Sequence, residues 1–272
     1  MMRIVVAGAA MMAMLACRGT TGPAACDEDD GGPMRILFIG NSLTYYHGLP
    51  YMLRSLADSA GEAPPVVEDV ALPDYSLEDH WNDGRAARAI RGGCWNYVVL
   101  QQGPSSLAES RALLLDYAGR FDALVRERGG RTALYSVWPA ASRRGDFARA
   151  IESYALAAER VDGLLLPAAT AWLEARERDA AVQLYQDDVH PTQAGTWLAA
   201  LVMTARLYGR TPAEMPAAFT VRAPGWAGPT TVRIESATAA TLRGAAQVAL
   251  ERHPEPSSGP GAGTSGDWDV SF

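Results

Sequence analysis

The sequence predicts an α/β fold of three layers, with helices on both sides of a central parallel sheet of about five strands. Three observations carry that expectation. Short, largely apolar runs recur at residues 35–39, 66–72, 95–100, 132–137 and 164–166, and the first is continuous, as a strand buried on both faces requires. Segments with helical spacing of apolar residues separate them, so strand and helix alternate. No internal repeat competes with this order, and 272 residues at 48% hydrophobic content suffice for one such domain with extensions at its ends.

Residues 1–16 hold a single basic residue, Arg3, before an apolar run from Ile4 to Leu15. That run is too short to span a bilayer but suits a secretory signal. Cys17 follows Met14-Leu15-Ala16, which resembles the lipobox of bacterial lipoproteins, with Met14 where leucine is usual. Export is therefore expected, with Cys17 lipidated and a membrane as the anchoring partner, in the periplasm or at the cell surface; without the lipid the protein would be secreted. Residues 17–33 contain Asp27-Glu28-Asp29-Asp30 and few side chains to bury, and read as a flexible tether. Cys26 lies in it, and with Cys94 it leaves two alternatives open, a disulfide or two independent thiols.

The domain proper covers residues 34–209. Its first strand breaks into Gly40-Asn41-Ser42-Leu43-Thr44, where Gly40 supplies the backbone freedom for a sharp exit. Ser42 then sits at the carboxyl end of a strand, where open parallel sheets bind ligands. From the local stretch alone it reads equally as a nucleophile and as a helix N-cap. Leu49, Met52, Leu53 and Leu56 mark the next helix, ended by Gly61-Glu62-Ala63-Pro64-Pro65. After the second strand, Ser76 is placed to cap a helix with Asp79 reaching back to it. The third strand ends in Gln101-Gln102-Gly103-Pro104-Ser105-Ser106, and Ser106 with Glu109 reads as a capping box for a helix with Leu114, Ala118, Phe121 and Val125 on one face. Further helices are expected over 147–161 and 192–208, the latter closed by Gly209. Residues 210–253 form a C-terminal extension, irregular or strand-like to 234 and then a surface helix, and the Pro/Gly/Ser-rich 254–272 a disordered tail. His47 and His80 have no second histidine or cysteine at metal-ligand spacing and are expected on the surface.

A serine hydroxyl is a weak nucleophile until a base takes its proton, and a neutral imidazole does so best when a carboxylate holds its other nitrogen. Asp187-Asp188-Val189-His190-Pro191-Thr192-Gln193-Ala194-Gly195 supplies both from one loop, with His190 as base, Asp187 as the orienting acid and Asp188 as its rival. The two stretches together resemble the SGNH (GDSL-like) hydrolases, in which a Gly-Asp-Ser-Leu-type block near the start and an Asp-x-x-His block near the end carry catalysis. Asn41 replaces the common aspartate.

The resemblance implies a flavodoxin-like three-layer fold and ester hydrolysis through an acyl-enzyme on Ser42, needing no metal or organic cofactor. It also implies an oxyanion hole built from the Ser42 amide, a glycine amide of a second block and an asparagine of a Gly-x-Asn block. Here Asp74 and Tyr75 occupy the second block, and Gly103-Pro104-Ser105 aligns with the third. The side-chain donor is therefore expected to be Gln101 or Gln102, with the Tyr75 amide as a further candidate and Ser105 as the aligned position.

For a serine hydrolase outside the cytoplasm the expected substrate is a small-molecule or polysaccharide ester, and the expected activity short-chain carbohydrate (acetyl) esterase. Trp81, Trp95 and Trp138 are either sugar-stacking faces or core. Two other classes stay open: an inactive glycan-binding protein on the same fold, and metal-dependent hydrolysis through Asp187, Asp188 and His190. Nucleic acid is excluded as a partner, because 24 basic residues, all Arg, stand against 31 acidic ones for a net charge of -7.

Overall fold

The computed structural model describes residues 31–255; the expected signal segment, Cys17, Cys26 and the tail from residue 256 lie outside the described residues. Five strands, β1 (Arg35–Gly40), β2 (Val66–Ala71), β3 (Tyr97–Leu100), β4 (Arg131–Tyr135) and β5 (Leu164–Leu166), form one parallel sheet in the order β2-β1-β3-β4-β5. In chain order the helices are α1 (Ser42–Tyr45), α2 (Leu49–Ser59), α3 (Leu77–Asp83), α4 (Arg85–Gly92), α5 (Ala108–Arg126), α6 (Phe147–Arg160), α7 (Ala168–Arg178), α8 (Gln193–Tyr208) and α9 (Ser236–Arg252). An antiparallel hairpin of β6 (Ala218–Val221) and β7 (Thr230–Arg233) precedes α9.

Strand β1 lies between two parallel neighbours, with Ile36 opposite Val67 and Tyr97, and Ile39 opposite Val70 and Leu100. Covered on both faces as well, Ile36, Leu37, Phe38 and Ile39 are wholly buried, each contributing about 1.5–3 kcal/mol. The strand before Ser42 is thus among the most firmly seated segments. Edge strand β2 carries Glu68 and Asp69, charges that discourage further strand addition. Helices α2 and α8 pack together on one face, and α3 to α6 succeed one another on the other, as right-handed crossovers require. The chain leaves β1 toward β2 and returns past it to β3, so a crevice opens at the carboxyl ends of β1 and β3.

Several expectations change, and the alternatives left open at Cys94 and Trp95 are decided. The capping box at Ser106 and Glu109 does not form: the Ser106 hydroxyl donates to Asp146 Oδ2 at 3.1 Å, α5 begins at Ala108, and the Leu107 N–H is met by Ser110 Oγ at 3.3 Å. Helix α9, expected on the surface, buries Ala239, Leu242, Ala245, Ala246 and Ala249 and packs against α7 and α8. His80 is wholly buried, with Nε2 2.8 Å from the Gly40 carbonyl oxygen. Cys94 is disulfide-bonded, and its partner lies outside the described residues. Trp95 is buried, its indole N–H donating to the Ala89 carbonyl at 3.0 Å, and Trp81 packs edge-on against Phe121. Among the described residues no helix is long and apolar enough to cross a membrane.

Candidate active site

The turn after β1 forms where the sheet's burial pattern stops. Gly40 is required there by close approach, since a Cβ would fall 2.3 Å from Thr44 Oγ1 and 2.4 Å from Gln101 Oε1. Asn41 adopts an extended conformation and caps α1, its Oδ1 accepting from the Leu43 N–H at 3.1 Å. The cap is therefore Asn41, which leaves the Ser42 side chain for other partners. As the first residue of α1, Ser42 also keeps its backbone N–H without an acceptor among the described residues.

Ser42 Oγ stands 3.0 Å from His190 Nε2, and His190 Nδ1 stands 2.9 Å from Asp187 Oδ2. The other oxygen of Asp187 accepts from the N–H groups of Val189 and His190, both at 2.7 Å. Those amides and the imidazole bond hold the Asp187 carboxyl down at about 2, so it is an anion near neutral pH and keeps the Nδ1 proton on His190. In the neutral imidazole, Nε2 then carries no proton, and it faces the serine hydroxyl. Asp188 turns the other way: its carboxylate accepts from Ser142 N and Oγ at 2.7 Å each, and its carbonyl from Ala141 N at 2.7 Å. Asp187, Asp188 and His190 therefore do not converge on a common point.

The loop that carries His190 is tied at both ends. The Gln186 N–H donates to the His190 carbonyl at 2.8 Å, and Thr192 N–H to Leu184 O at 2.7 Å, while the Thr192 side chain caps α8 at Gly195. Two further residues hold it: Tyr46, which sequence reasoning passed over, and His47, which it placed on the surface. Tyr46 stacks on the His190 ring, centroids 4.2 Å apart and planes 14° from parallel. His47, in the left-handed region at φ 50°, places Nε2 3.1 Å from the Pro191 carbonyl oxygen.

The residues expected to furnish the rest of the oxyanion hole are present but engaged. Gln101 is wholly buried; its Nε2 donates to Asn41 Oδ1 at 2.9 Å and to the Gln102 carbonyl, and its Oε1 accepts from Asn41 N at 2.9 Å and Thr44 Oγ1 at 2.7 Å. Gln102 Nε2 donates to Ser105 Oγ at 2.8 Å and Ser110 O at 3.0 Å. Ser105, at φ 55°, donates its hydroxyl to Gly103 O at 3.0 Å. The Tyr75 N–H closes a turn onto Leu72 O at 3.3 Å, and its carbonyl accepts from Asn41 Nδ2 at 3.1 Å. In this arrangement neither glutamine amide nor the Tyr75 amide is open to a ligand. Their bonds shape the turn that presents Ser42.

At Leu43, the residue after Ser42, a pocket of about 330 Å³ opens between the loop after β3 and the loop after β4. Leu113, Trp138 and Val189 give it an apolar lining, and Arg143 and Asp146 stand at its far side as an ion pair at 2.6 Å. Trp138 has almost no exposed surface; its ring stacks on Trp172, and its indole N–H donates to Val189 O at 3.0 Å. It braces the His190 loop and offers the pocket an edge, with no open face for stacking.

No protein-family model and no curated protein matches the sequence. Solved structures do. A proposed SGNH hydrolase from Slackia heliotrinireducens matches over 65% of this chain and 100% of its own, at 27% identity and a TM-score of 0.56. A DUF4886 family protein from Bacteroides uniformis matches over 83% of this chain and 97% of its own, at 18% identity and a TM-score of 0.63. An acetylxylan esterase from Geobacillus stearothermophilus, crystallised as a catalytic mutant, matches over 64% and 94%, at 17% identity and a TM-score of 0.50. Residues 34–209 are 176 of 272, or 65%, so the Bacteroides match takes in part of the chain outside them. By strand order, by the turn after β1 and by these likenesses, the chain has the fold of the SGNH hydrolases.

Proposed function

We propose that the protein is a serine esterase that works through an acyl-enzyme. The observation that carries this reading is the unbroken line of short contacts from Ser42 Oγ to His190 Nε2 at 3.0 Å and from His190 Nδ1 to Asp187 at 2.9 Å. Ser42 Oγ attacks the ester carbonyl while Nε2 takes its proton; the Ser42 N–H meets the oxyanion, and the protonated imidazole hands its proton to the departing alcohol. Water, deprotonated by the same nitrogen, then releases the acid from Ser42. Asp187 stays charged throughout and orients the ring. The intact line of contacts favours this reading over an inactive glycan-binding protein.

The substrate we propose is a short-chain acyl ester of a carbohydrate, acetyl first, met outside the cytoplasm by a protein exported through residues 1–16 and lipidated at Cys17. Two solved structures of the same fold are acetylxylan esterases, at 17% and 14% identity, which supports the fold and leaves the acyl group to experiment. The apolar pocket beside Leu43 favours a second reading, an aliphatic acyl group longer than acetyl, because acetyl fills little of about 330 Å³. A series of p-nitrophenyl esters from acetate to octanoate, with and without chelator, tests both. Loss of hydrolysis in Ser42→Ala together with indifference to chelator supports the serine mechanism; turnover that survives Ser42→Ala defeats it. A kcat/KM that peaks at six to eight carbons replaces acetyl with the longer chain.

A further inference from the structure

On the other side of His190 the C-terminal extension reaches over the domain. The hairpin of β6 and β7 packs against α2, and its connecting loop presents Trp226, 37% exposed although it is among the largest apolar side chains. The indole lies against the backbone of Gly48, where a Cβ would meet its Cζ2 at 2.8 Å; Gly48 also stands at φ 65°, which glycine tolerates best. Between hairpin and domain is a cleft of about 240 Å³. Its polar groups are His47, Gln193 and Thr230, and Met52 and Val232 lie beneath.

We propose that this cleft is a subsite for one sugar ring in the alcohol half of the substrate, with Trp226 as its stacking face. The proposal rests on the esterase reading above and deepens it. A sugar ring offers apolar C–H faces and a rim of hydroxyls, and the cleft answers both: an exposed indole for a face, and partners of each kind for the rim. With His47 Nε2 donating to the Pro191 carbonyl, Nδ1 of the neutral ring is free to accept. The side chains of Gln193 and Thr230 bond to no other group among the described residues, and they supply donors and acceptors. A volume below the roughly 300–1,000 Å³ of larger ligand sites selects a single ring.

Position agrees with chemistry. The leaving alcohol must take its proton from His190 Nε2, so the alcohol half departs on the imidazole's side, and the apolar pocket at Leu43 is left for the acyl group. His47 joins the cleft to the residue after His190, and Tyr46, next to it, covers the imidazole ring. A glycan running past His190 would bring its next ring to Trp226.

The test compares acetylated xylo-oligosaccharide with p-nitrophenyl acetate. In Trp226→Ala the ratio of kcat/KM for the oligosaccharide over the aryl ester is expected to fall at least tenfold, mainly through KM, and Trp226→Phe to recover most of it. An unchanged ratio in Trp226→Ala overturns the subsite. Calorimetric titration of deacetylated xylo-oligosaccharide into Ser42→Ala and into Ser42→Ala/Trp226→Ala reads the cleft without turnover: binding by the first and not the second supports it, and equal binding or none by both overturns it. Failure of the esterase reading is seen separately, as wild-type protein that hydrolyses neither ester.

Discussion

Gln101→Leu separates a residue that meets the substrate from one that builds the turn. Leucine has nearly the same volume, so the change removes polar atoms without opening a large cavity. Asn41 Oδ1 would keep the Leu43 N–H at 3.1 Å, and the Gln102 carbonyl would keep the Tyr154 hydroxyl at 2.7 Å, so neither acceptor is orphaned. Two donors are. The Asn41 N–H and the Thr44 hydroxyl both lose Gln101 Oε1, and Thr44 is 1% exposed, so water offers little replacement. At about 1–3 kcal/mol for each buried unsatisfied donor, the loss is about 2–6 kcal/mol, a large share of the roughly 5–15 kcal/mol that holds a typical domain folded. Urea unfolding followed by circular dichroism measures it, alongside kcat for p-nitrophenyl acetate at a temperature where the variant remains folded. A direct oxyanion donor would behave differently, with about a hundredfold to a thousandfold loss in kcat and little loss of stability. A stability change below about 1 kcal/mol would refute the structural role of this amide.

Two further predictions concern charge. Asp187→Asn should lower kcat by about three to four orders of magnitude, since the neutral amide no longer holds the Nδ1 proton in place, whereas Asp188→Asn should loosen the tie to Ser142 and change kcat by less than about tenfold; the reverse order of effects would exchange their roles. Burial holds the pKa of His80 below its ordinary 6.5, against the opposing pull of the Gly40 carbonyl and of Asp83 and Asp79. The unfolded chain therefore takes up this proton first: the stability from a neutral His80 is complete above pH 6.5 and is lost as pH falls below it. His253 shifts the same way through its own burial and contributes to both proteins, so the comparison is with His80→Gln. The wild type's advantage in unfolding free energy should shrink between pH 7 and pH 5, and a constant difference would show that His80 is not held neutral.

What could be read from the sequence follows from how local each signal is. The first strand announces itself because a parallel strand covered on both faces needs an unbroken apolar run, as Ile36 to Ile39 supplies, and the other four follow from their alternation with helices. Asp187 and His190 are legible as a pair because three residues separate them in one loop, and the contact they make is that short-range one. Gln101 and Gln102 were recognisable as polar groups at the sheet edge, but a side chain with both a donor and an acceptor does not say in sequence which partner it will find. Here the partners are Asn41, Thr44 and Ser105. His80 was misplaced because a lone histidine on a short helix looks like surface, and only the packing of α3 against β1 drives it beneath Gly40. Helix α7 escaped for a different reason. Seven of its eleven residues, Ala168 to Trp172 with Glu174 and Ala175, are buried, so it lacks the polar stripe that gives an amphipathic helix its period.

Asn41, standing where the resembled pattern has aspartate, and its neighbours Tyr75 and Gln101 are best understood as one network. An aspartate at position 41 could accept from Leu43 N and Gln101 Nε2 as Asn41 Oδ1 does, but it has no hydrogen to give the Tyr75 carbonyl, which Asn41 Nδ2 reaches at 3.1 Å. Asparagine therefore joins the first block to the second by a bond that aspartate lacks. Gln101 extends the same network in the other direction: its amide bonds the Asn41 backbone and side chain at once and continues to the Gln102 carbonyl. The three loops around Ser42 are thus cross-tied through neutral amides, with no buried charge to compensate. Each substitution alone should then cost more than its share: Asn41→Asp orphans the Tyr75 carbonyl and sets a carboxylate oxygen against it, while Gln101→Leu strips the acceptor from the Asn41 N–H. Because both act on Asn41, whose amide is tied to Tyr75 on one side and to Gln101 on the other, their stability losses in a double-mutant cycle should fall short of adding, by about 1 kcal/mol or more. Strict additivity would mean that the two residues serve the turn independently.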